Sequence, residues 1–446
     1  MRATLNPGVR PVEAWAWAMY DFANSGYTTV VITAVFNAYF VATVAGNAPW
    51  ATLAWTSALA VSYALIMLTA PGLGAYADLR AAKKRLLAFT TLGCVAGTAA
   101  LGWVGPGDLW LGIALVVVSN YFFGTGENLI AAFLPELARG RALGRLSGLG
   151  WGVGYLGGLL TLGLCLAYVT HALGRGDGAE AFVPATLWIT AGVFVLASLP
   201  TFLFLRERVA AEGAMRRPVG SAAGRAYARM LATLGHARDY PDLYRFLACI
   251  VLYQAGVQAV IALAAVYAQQ ALGFTTQDSI QLILAVNVAA AAGALAFGPL
   301  QDRLGHRPAL ALTLVGWLAT VLLAWRAVTP GQLWPAAGLA GLCLGASQSG
   351  GRALVGYLSP WSHRAEFFGL WGVAVKLAAI LGPVSYGAVV WWMDGQHRPA
   401  MLVLGVFFLA GLALLAGVDP RRGRRRALRA RRGEVKLLVA GAPPLG

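Results

Sequence analysis

The sequence predicts an all-α polytopic membrane protein whose twelve transmembrane helices form two pseudo-repeated six-helix bundles. Three observations lead to this fold class. The 446-residue chain is 59% hydrophobic and only 12% charged, with a mean hydropathy of +0.66, a composition that soluble globular domains do not have. It contains twelve apolar stretches long enough to cross a bilayer. A short acidic-basic motif occurs twice, about half the chain apart.

Each apolar stretch approaches or exceeds the ~20 residues that a helix needs to cross the hydrocarbon core. The runs are too long and continuous for the alternating pattern of a membrane β-barrel. The first run contains Asp21 and Asn24 and lacks a small-residue cleavage site, which favours a membrane helix over a cleavable signal sequence. The predicted spans are 15–44, 53–75, 86–104, 110–134, 148–170, 184–205, 244–269, 279–300, 309–326, 333–355, 367–392 and 399–417.

The repeated motif follows the second predicted span of each half. Its aspartates, Asp78 and Asp302, lie 224 residues apart, and a Trp-Gly-Val triplet at Trp151 recurs at Trp371, 220 residues later. Such a repeat predicts a duplicated six-span unit, an architecture that in membranes is typical of transporters. The motif residues are Gly74, Asp78 and Arg80 in the first copy and Gly298, Asp302, Arg303, Gly305 and Arg307 in the second.

The placement of charge predicts the topology. About 30 of the 34 Lys and Arg residues fall on one side of the predicted spans, so the positive-inside rule places both termini in the cytoplasm of a multi-pass protein of the plasma (inner) membrane. Because topology accounts for the net charge of +16, we expect no nucleic-acid partner. The predicted units are an N-terminal bundle (1–205), a basic cytoplasmic linker (206–243), a C-terminal bundle (244–417) and a basic cytoplasmic tail (418–446).

The linker and the tail carry charge that suits a membrane surface. Residues 221–238 of the linker fit either a surface helix or a flexible tether beside anionic lipid. The arginine-rich stretch 421–432 of the tail is basic enough to hold phosphate headgroups.

Neither a metal site nor a cofactor is expected. The four cysteines all lie in apolar spans without paired spacing, which favours core packing over disulfides. The five histidines are scattered and form no metal-binding motif. No phosphate-binding loop of the Gly-x-x-x-x-Gly-Lys-Ser/Thr type occurs, which argues against ATP drive within this chain.

The second copy of the motif reads Gly-Pro-Leu-Gln-Asp-Arg-Leu-Gly-His-Arg over residues 298–307. It resembles the Gly-x-Leu-x-Asp-Arg-x-Gly-Arg-Arg loop of the major facilitator superfamily; the first copy departs at Leu79 and Ala81, where Arg and Gly are expected. The resemblance implies that helices 1, 4, 7 and 10 line a cavity, that 2, 5, 8 and 11 join the halves, and that 3, 6, 9 and 12 face lipid. An aspartate in such a loop can cap a helix start and pair with nearby arginines, which steadies one conformation.

Several further segments resemble the vacuole-effluxer branch of that superfamily. They are Tyr-Asp-Phe-Ala-Asn-Ser at 20–25, Gly-Tyr-Leu-Gly-Gly at 154–158, Gln348, Ser349 and Arg352 in span 10, and Glu-Phe-Phe-Gly-Leu at 366–370 followed by Lys376 and Gly-Pro at 382–383. The best-known eukaryotic members of this branch are linked to amino-acid export from the vacuole. The resemblance implies an efflux-type permease and leaves its cargo open.

Four ionisable residues lie inside predicted spans: Asp21, Glu127, Arg352 and Lys376. Charges at membrane depth are costly and usually face a cavity or a partner. The first half supplies both acids and the second half both bases, which leaves two interpretations. The acids could hold a substrate ammonium and the bases its carboxylate, as suits a zwitterionic amino acid or peptide. Alternatively, acids and bases pair with each other to close the cytoplasmic gate.

Uncharged polar residues are the other candidates for a substrate site. Asn24, Asn128, Gln254 and Gln258 lie in spans 1, 4 and 7, and the two glutamines share one helix face. A substrate or a neighbouring helix could satisfy their amides. Glu127, beside Asn128, is the better candidate for a proton carrier, although a structural ion pair would also explain it.

These observations predict a secondary transporter, not an enzyme, that moves a small polar solute by alternating access. The expected partners are a small-molecule substrate, protons as coupling ion and the lipid bilayer, with the chain acting as a monomer. A lipid or lipophilic-compound exporter on the same fold is the first alternative, because an apolar lateral opening would suit such a cargo. A membrane-embedded enzyme is the second alternative, and it lacks a clustered His/Asp or Ser/His constellation in the sequence.

Overall fold

The computed structural model describes residues 5–46, 48, 50–140, 142–208, 239–274, 276–360, 363–394 and 396–429. Within these ranges twelve long helices run across the molecule, and each predicted span coincides with one of them. A short helix follows the last. The helices are α1 Pro11–Val44, α2 Ala51–Arg80, α3 Lys83–Ala100, α4 Leu109–Ala131, α5 Ala142–Gly174, α6 Ala179–Phe204, α7 Pro241–Leu272, α8 Thr276–Leu304, α9 His306–Arg326, α10 Pro330–Leu358, α11 Arg364–Trp392, α12 His397–Ala416 and α13 420–429.

Local sequence explains where several helices begin and end. Pro11 and Pro330 start α1 and α10. Proline is tolerated there because a backbone N–H in the first turn has no acceptor within the helix. The tight connections α2–α3 and α8–α9 each contain a residue with positive φ, Ala81 at +48° and Gly305 at +93°. Both residues stand three positions after the motif aspartate, but their conformations differ, because ψ is +51° at Ala81 and +159° at Gly305.

Eleven of the described helices are long and apolar enough to cross a membrane by hydropathy alone, and α10 is the exception. The mean hydropathy of α10 is lowered by glycines and by polar residues such as Gln348, Ser349 and Arg352. These three polar residues are buried. A helix surrounded by other helices does not need an apolar surface towards lipid. Low hydropathy in α10 therefore agrees with a central position in the bundle.

The packing divides the helices into inner and outer sets. α2 packs against α11 and α5 against α8, and these contacts join the two halves together with α5–α10 and α4–α11. Helices α3, α6, α9 and α12 pack mainly within their own halves. This is the arrangement that the resemblance implied.

Glycines allow the close approach of α5 and α8. A Cβ added at Gly298 would lie 2.8 Å from the carbonyl oxygen of Gly144, and one added at Gly148 would collide with the carbonyl oxygen of Ala294. Real Cβ atoms do not approach a backbone oxygen this closely, so any larger residue at Gly148 or Gly298 would push the halves apart.

The linker and the tail differ in part from simple cytoplasmic segments. Helix α7 begins at Pro241, so the last residues of the predicted linker belong to the C-terminal bundle. The first part of the tail forms α13, which packs on the ends of α7 and α10. Residues 209–238, with the stretch 221–238, and residues 430–446 lie outside the described residues.

Candidate functional site

We call one end of the bundle the basic end. It is the end where α2 connects to α3, α4 to α5, α8 to α9 and α10 to α11, and where α1 begins and α12 finishes. Both copies of the repeated motif lie there. The four intramembrane charges lie in the helix segments nearest to this end, at the meeting of α1, α4, α10 and α11.

The first acid–base pair joins α1 to α10. Arg352 Nη2 lies 2.7 Å from Asp21 Oδ2, and the arginine also donates from Nε to Ser147 Oγ at 3.1 Å and from Nη2 to the Ser147 carbonyl at 3.1 Å. Its guanidinium carbon lies 4.7 Å from the ring centroid of Trp17 and 5.3 Å from that of Trp151. Arg352 is only 3% exposed, so its charge is held almost entirely by these groups of the other half.

The second pair joins α4 to α11. Lys376 Nζ lies 3.5 Å from Glu127 Oε2 and faces the rings of Tyr63 and Phe123, at 5.1 and 5.9 Å from their centroids. The side chain of Glu127 is 25% exposed and that of Lys376 10%. This pair is therefore longer and more open than the first, and Glu127 is the more accessible of the two acids.

Both pairs cross between the halves with the same polarity, because each acid belongs to the N-terminal bundle and each base to the C-terminal bundle. We call the four residues, two acids that face two bases across the interface, the charge cluster. A buried cluster of balanced charge is tolerated while its partners stay together, but separating the halves would leave four unpaired charges at membrane depth.

Three of the four predicted amides are buried with incomplete hydrogen bonding. Gln254 Nε2 donates to Gln348 Oε1 at 2.7 Å, which ties α7 to α10. Within the described part of the chain, no hydrogen-bond partner is found for Gln254 Oε1, Asn24 Oδ1 or Asn128 Nδ2, all of which are buried. Gln258 is half-buried. Buried polar atoms usually have a hydrogen-bond partner, and these three atoms are exceptions among the described residues.

The motif aspartates cap helices of the opposite half. Asp78 Oδ2 accepts a hydrogen bond from the backbone N–H of Glu366 at 3.1 Å, at the start of α11, and Lys83 Nζ lies 3.7 Å from Asp78 Oδ1. Asp302 Oδ1 accepts from the N–H of Arg145 at 3.2 Å, near the start of α5, and Arg145 Nε lies 3.5 Å from Asp302 Oδ2. Each carboxylate thereby meets the positive end of a helix dipole across the interface.

The remaining motif residues have other roles. Gly74 packs against the backbone at the start of α11 and Gly298 against a carbonyl of α5. Arg307 Nη2 donates to the carbonyl that ends α12, at 2.7 Å. Arg80 and Arg303 are exposed, and among the described residues neither pairs with a motif aspartate. The cations that do pair with the aspartates therefore come from the following helix (Lys83) and from the opposite half (Arg145).

A buried ionic network within the N-terminal half was not predicted from the sequence. Lys83 and Glu136 form a close, fully buried ion pair, and Arg208 contacts both Glu13 Oε2 at 2.7 Å and, through its N–H, Glu136 Oε2 at 2.8 Å. The Glu207 carboxylate accepts from the N–H groups that start α3, and its burial raises the pKa of this carboxyl. The sequence feature that could have indicated this network is the presence of acidic residues in connections that are otherwise basic.

The described residues contain no group of three or more His, Cys, Asp and Glu side chains that could hold a metal ion. A cavity of about 400 Å³ lies at the other end of the bundle, between α2 and α4, with an almost wholly apolar lining. It is lined by Trp50, Ala54, Ser57, Ala58, Val61, Leu109, Trp110, Ile113 and Val117.

Comparison with known proteins agrees with this architecture. The family described as "Vacuole effluxer Atg22 like" matches residues 54–428. The chain is 26% identical over 409 residues to the "Uncharacterized MFS-type transporter YxiO" of Bacillus subtilis, a match that covers 90% of this chain and 94% of that protein. It is 25% identical over 317 residues to autophagy-related protein 22-1 of Aspergillus niger, covering 64% of this chain and 48% of that one. The chain spans about half the length of this fungal relative.

The fold also matches a solved structure. The human organic anion transporter MFSD10 (TETRAN) superposes with a TM-score of 0.69 at 16% identity, covering 92% of this chain and all of that one. At this level of identity the likeness shows the fold alone. The predicted fold class of two six-helix bundles is confirmed.

Proposed function

This chain belongs to the vacuole effluxer Atg22-like family of the major facilitator superfamily of membrane transporters, and we propose that it is a permease for a small zwitterionic solute, an amino acid. In this proposal it works by alternating access and exports its substrate across the plasma (inner) membrane. The observation that carries the proposal is the pair of acid–base contacts that cross between the halves, Asp21–Arg352 and Glu127–Lys376.

The two contacts act as a gate at the basic end. With the orientation that the positive-inside rule predicts, this end faces the cytoplasm, and the paired charges keep it closed. Removing one partner of a buried pair typically costs about 3–5 kcal/mol because the other charge stays buried and unpaired. The gate therefore stays shut until something else supplies charge of both signs.

A zwitterion meets that requirement. Its ammonium group can take the place of Arg352 or Lys376 beside the acids, and its carboxylate can take the place of Asp21 or Glu127 beside the bases. A bound amino acid thus supplies one charge of each sign and compensates one acid and one base while the halves separate, which links occupancy to opening. The unpaired amides of Asn24 and Asn128 would receive further polar groups of the substrate.

Protons are the proposed coupling ion, with Glu127 as their carrier. When Lys376 moves away with the C-terminal half, the Glu127 carboxylate loses the cation beside it. The Glu127 side chain is 25% exposed and that of Asp21 11%, which favours Glu127 for access by water.

Counterflow transport tests the proposal. Proteoliposomes loaded with an amino-acid mixture should accumulate trace radiolabelled amino acids, and Asp21→Asn or Arg352→Gln should abolish this. Asp177→Asn and Arg175→Gln are matched controls, because this pair has the same chemistry at 2.8 Å but is exposed at the other end. Failure of wild-type protein to accumulate any amino acid, or equal loss in the control variants, would contradict the assignment.

A lipid or lipophilic cargo is the second candidate, favoured by the apolar cavity between α2 and α4. Both helices belong to the same half, so the cavity lies within one bundle and apart from the charge cluster. A lipid exporter should bind or translocate a fluorescent phospholipid with a dependence on Ala58 and Ile113. An amino-acid permease should be insensitive to Val61→Trp, which fills the same cavity from an exposed position.

A further inference from the structure

Helix α13 is held against the basic end by contacts on one face. Arg422 donates to both oxygens of the Asp242 carboxylate, at 2.6 and 2.8 Å, and Asp242 lies fully buried at the start of α7. Gly423 packs on Leu358 at the end of α10, and Ala427, one turn further on, is 2% exposed. The face of α13 that packs on the bundle therefore contains residues 423 and 427, which are one helical turn apart.

The opposite face presents a stripe of arginines. Arg421, Arg425 and Arg429 are exposed and stand at i, i+4 and i+8, so they lie in one row on the side of the helix that points away from the bundle. Leu428 beside them is 42% exposed. We call this row the arginine stripe.

The depth of α13 corresponds to the headgroup layer. Helices α7 and α10 have 32 and 29 residues, which makes them about 48 and 44 Å long at 1.5 Å per residue. The hydrocarbon core is only about 30 Å thick, so each helix extends roughly 7–9 Å beyond it at each end. Because α13 docks on the terminal residues of both helices, it lies at the level where phospholipid phosphates are found.

Within the described part of the chain, no ion pair is found for the three arginines of the arginine stripe. Residues 209–238 of the linker contain five arginines and one glutamate, so this segment is itself basic. Anionic headgroups are therefore the complementary partner, and a docked helix offers them three cations on a backbone that is already ordered.

We propose that the arginine stripe of α13 is a binding site for the phosphate groups of anionic phospholipid, and that it fastens the C-terminal half to one leaflet. Three guanidinium groups in a row match adjacent headgroup phosphates, and Leu428 can enter the acyl boundary beside them. The inference rests on the membrane location of the chain and not on the identity of the transported solute.

The test compares lipid retention in purified protein. We would measure by native mass spectrometry how much phosphatidylglycerol and phosphatidylcholine each variant retains in detergent. Wild-type protein should retain phosphatidylglycerol preferentially. The triple variant R421Q/R425Q/R429Q should lose most of that preference, several-fold or more, whereas R421K/R425K/R429K should keep it because the charges remain.

The matched control is R85Q/R139Q/R206Q. These arginines are also exposed at the basic end, and the change in net charge is the same, but they do not form a row. The control should bind phosphatidylglycerol like wild type. Equal loss in the control, or no loss in the α13 triple variant, would overturn the proposal.

Inorganic phosphate separates a lipid site from a site for free phosphate. Millimolar phosphate should not displace the retained phosphatidylglycerol if the neighbouring acyl boundary contributes to binding. Full displacement by phosphate would overturn the assignment to lipid. The melting temperature of each variant without added lipid shows whether its fold is intact. A folded R421Q/R425Q/R429Q variant that retains as much phosphatidylglycerol as wild type would refute the site directly.

Discussion

Replacing Arg352 with glutamine should open the basic end. Among the described residues, the guanidinium contacts found are all to the N-terminal half: Asp21, Ser147, and the rings of Trp17 and Trp151. Removing the guanidinium therefore destabilises the conformation in which the two halves are in contact at the basic end. A neutral side chain leaves the Asp21 carboxylate buried and unpaired, at a cost of about 3–5 kcal/mol. An energy of this size shifts a two-state equilibrium by roughly two to four orders of magnitude.

The assay is the distance between two spin labels at the basic end, on Arg139→Cys in the α4–α5 connection and Arg425→Cys on α13. The four native cysteines are buried, so labelling favours the introduced sites. Wild-type protein should give a short, narrow distance distribution, and Arg352→Gln a longer and broader one. Arg175→Gln, which removes a surface pair, should leave the distribution unchanged.

A double-mutant cycle with Asp21→Asn gives the sharpest form of this test. If the two side chains act as one unit, the double variant should be less perturbed than the sum of the single variants, by about 1–3 kcal/mol. An unchanged distance in Arg352→Gln, or strict additivity in the cycle, would refute the reasoning that this pair holds the end closed.

Three further predictions concern the interface and the connections. Gly148→Leu should lengthen the same spin-label distance without removing any charge, while Gly163→Leu, which has open space around it, should not; equal distances would contradict the close-contact argument. Lys83→Met should lower the free energy of unfolding by about 3–5 kcal/mol because Glu136 and Asp78 lose their buried cation, and a loss below ~1 kcal/mol would show that the pair is not structural. Ala81→Gly should raise the free energy of unfolding by up to ~1 kcal/mol, because Ala81 has a left-handed backbone conformation that glycine adopts without steric cost. A lowered melting temperature would contradict this.

The spans could be predicted from the sequence because crossing a bilayer demands a long apolar helix whatever its neighbours are. Even α10 was predicted as a span, although its average hydropathy is too low to identify it. Its polar residues are tolerated because other helices surround it, and that compensation is a property of the packed bundle. The depth of Asp21, Glu127, Arg352 and Lys376 was likewise readable from their position in the spans.

The partners of these charges could not be derived, because sequence order does not reveal which helices meet. The structure places Asp21 beside Arg352, and the substrate-binding and the gate interpretation both stay predictions. The network around Lys83 and Glu136 was missed for a related reason. Charges near span ends normally face solvent, and only the closing of α3, α4 and the segment 205–208 over one another buries these two.

The contacts of the repeated motif could be predicted only in part, for the same reason. Its aspartates were expected to cap helices and to pair with nearby arginines, and the capping depends on helices of the opposite half that no local pattern identifies. The left-handed turn at Ala81 brings the chain back so that Lys83 reaches Asp78. In the second copy, the same role falls to Arg145 from α5.

The measurement that tests the central claim most directly is a thermal-shift screen of the purified protein with each amino acid and with two blocked forms of it, the amide and the N-acetyl derivative. The account predicts that at least one amino acid raises the melting temperature by mass action, that both blocked forms fail, and that Asp21→Asn and Arg352→Gln abolish the shift. Stabilisation by lipids alone, or equal stabilisation by blocked and free amino acids, would contradict it.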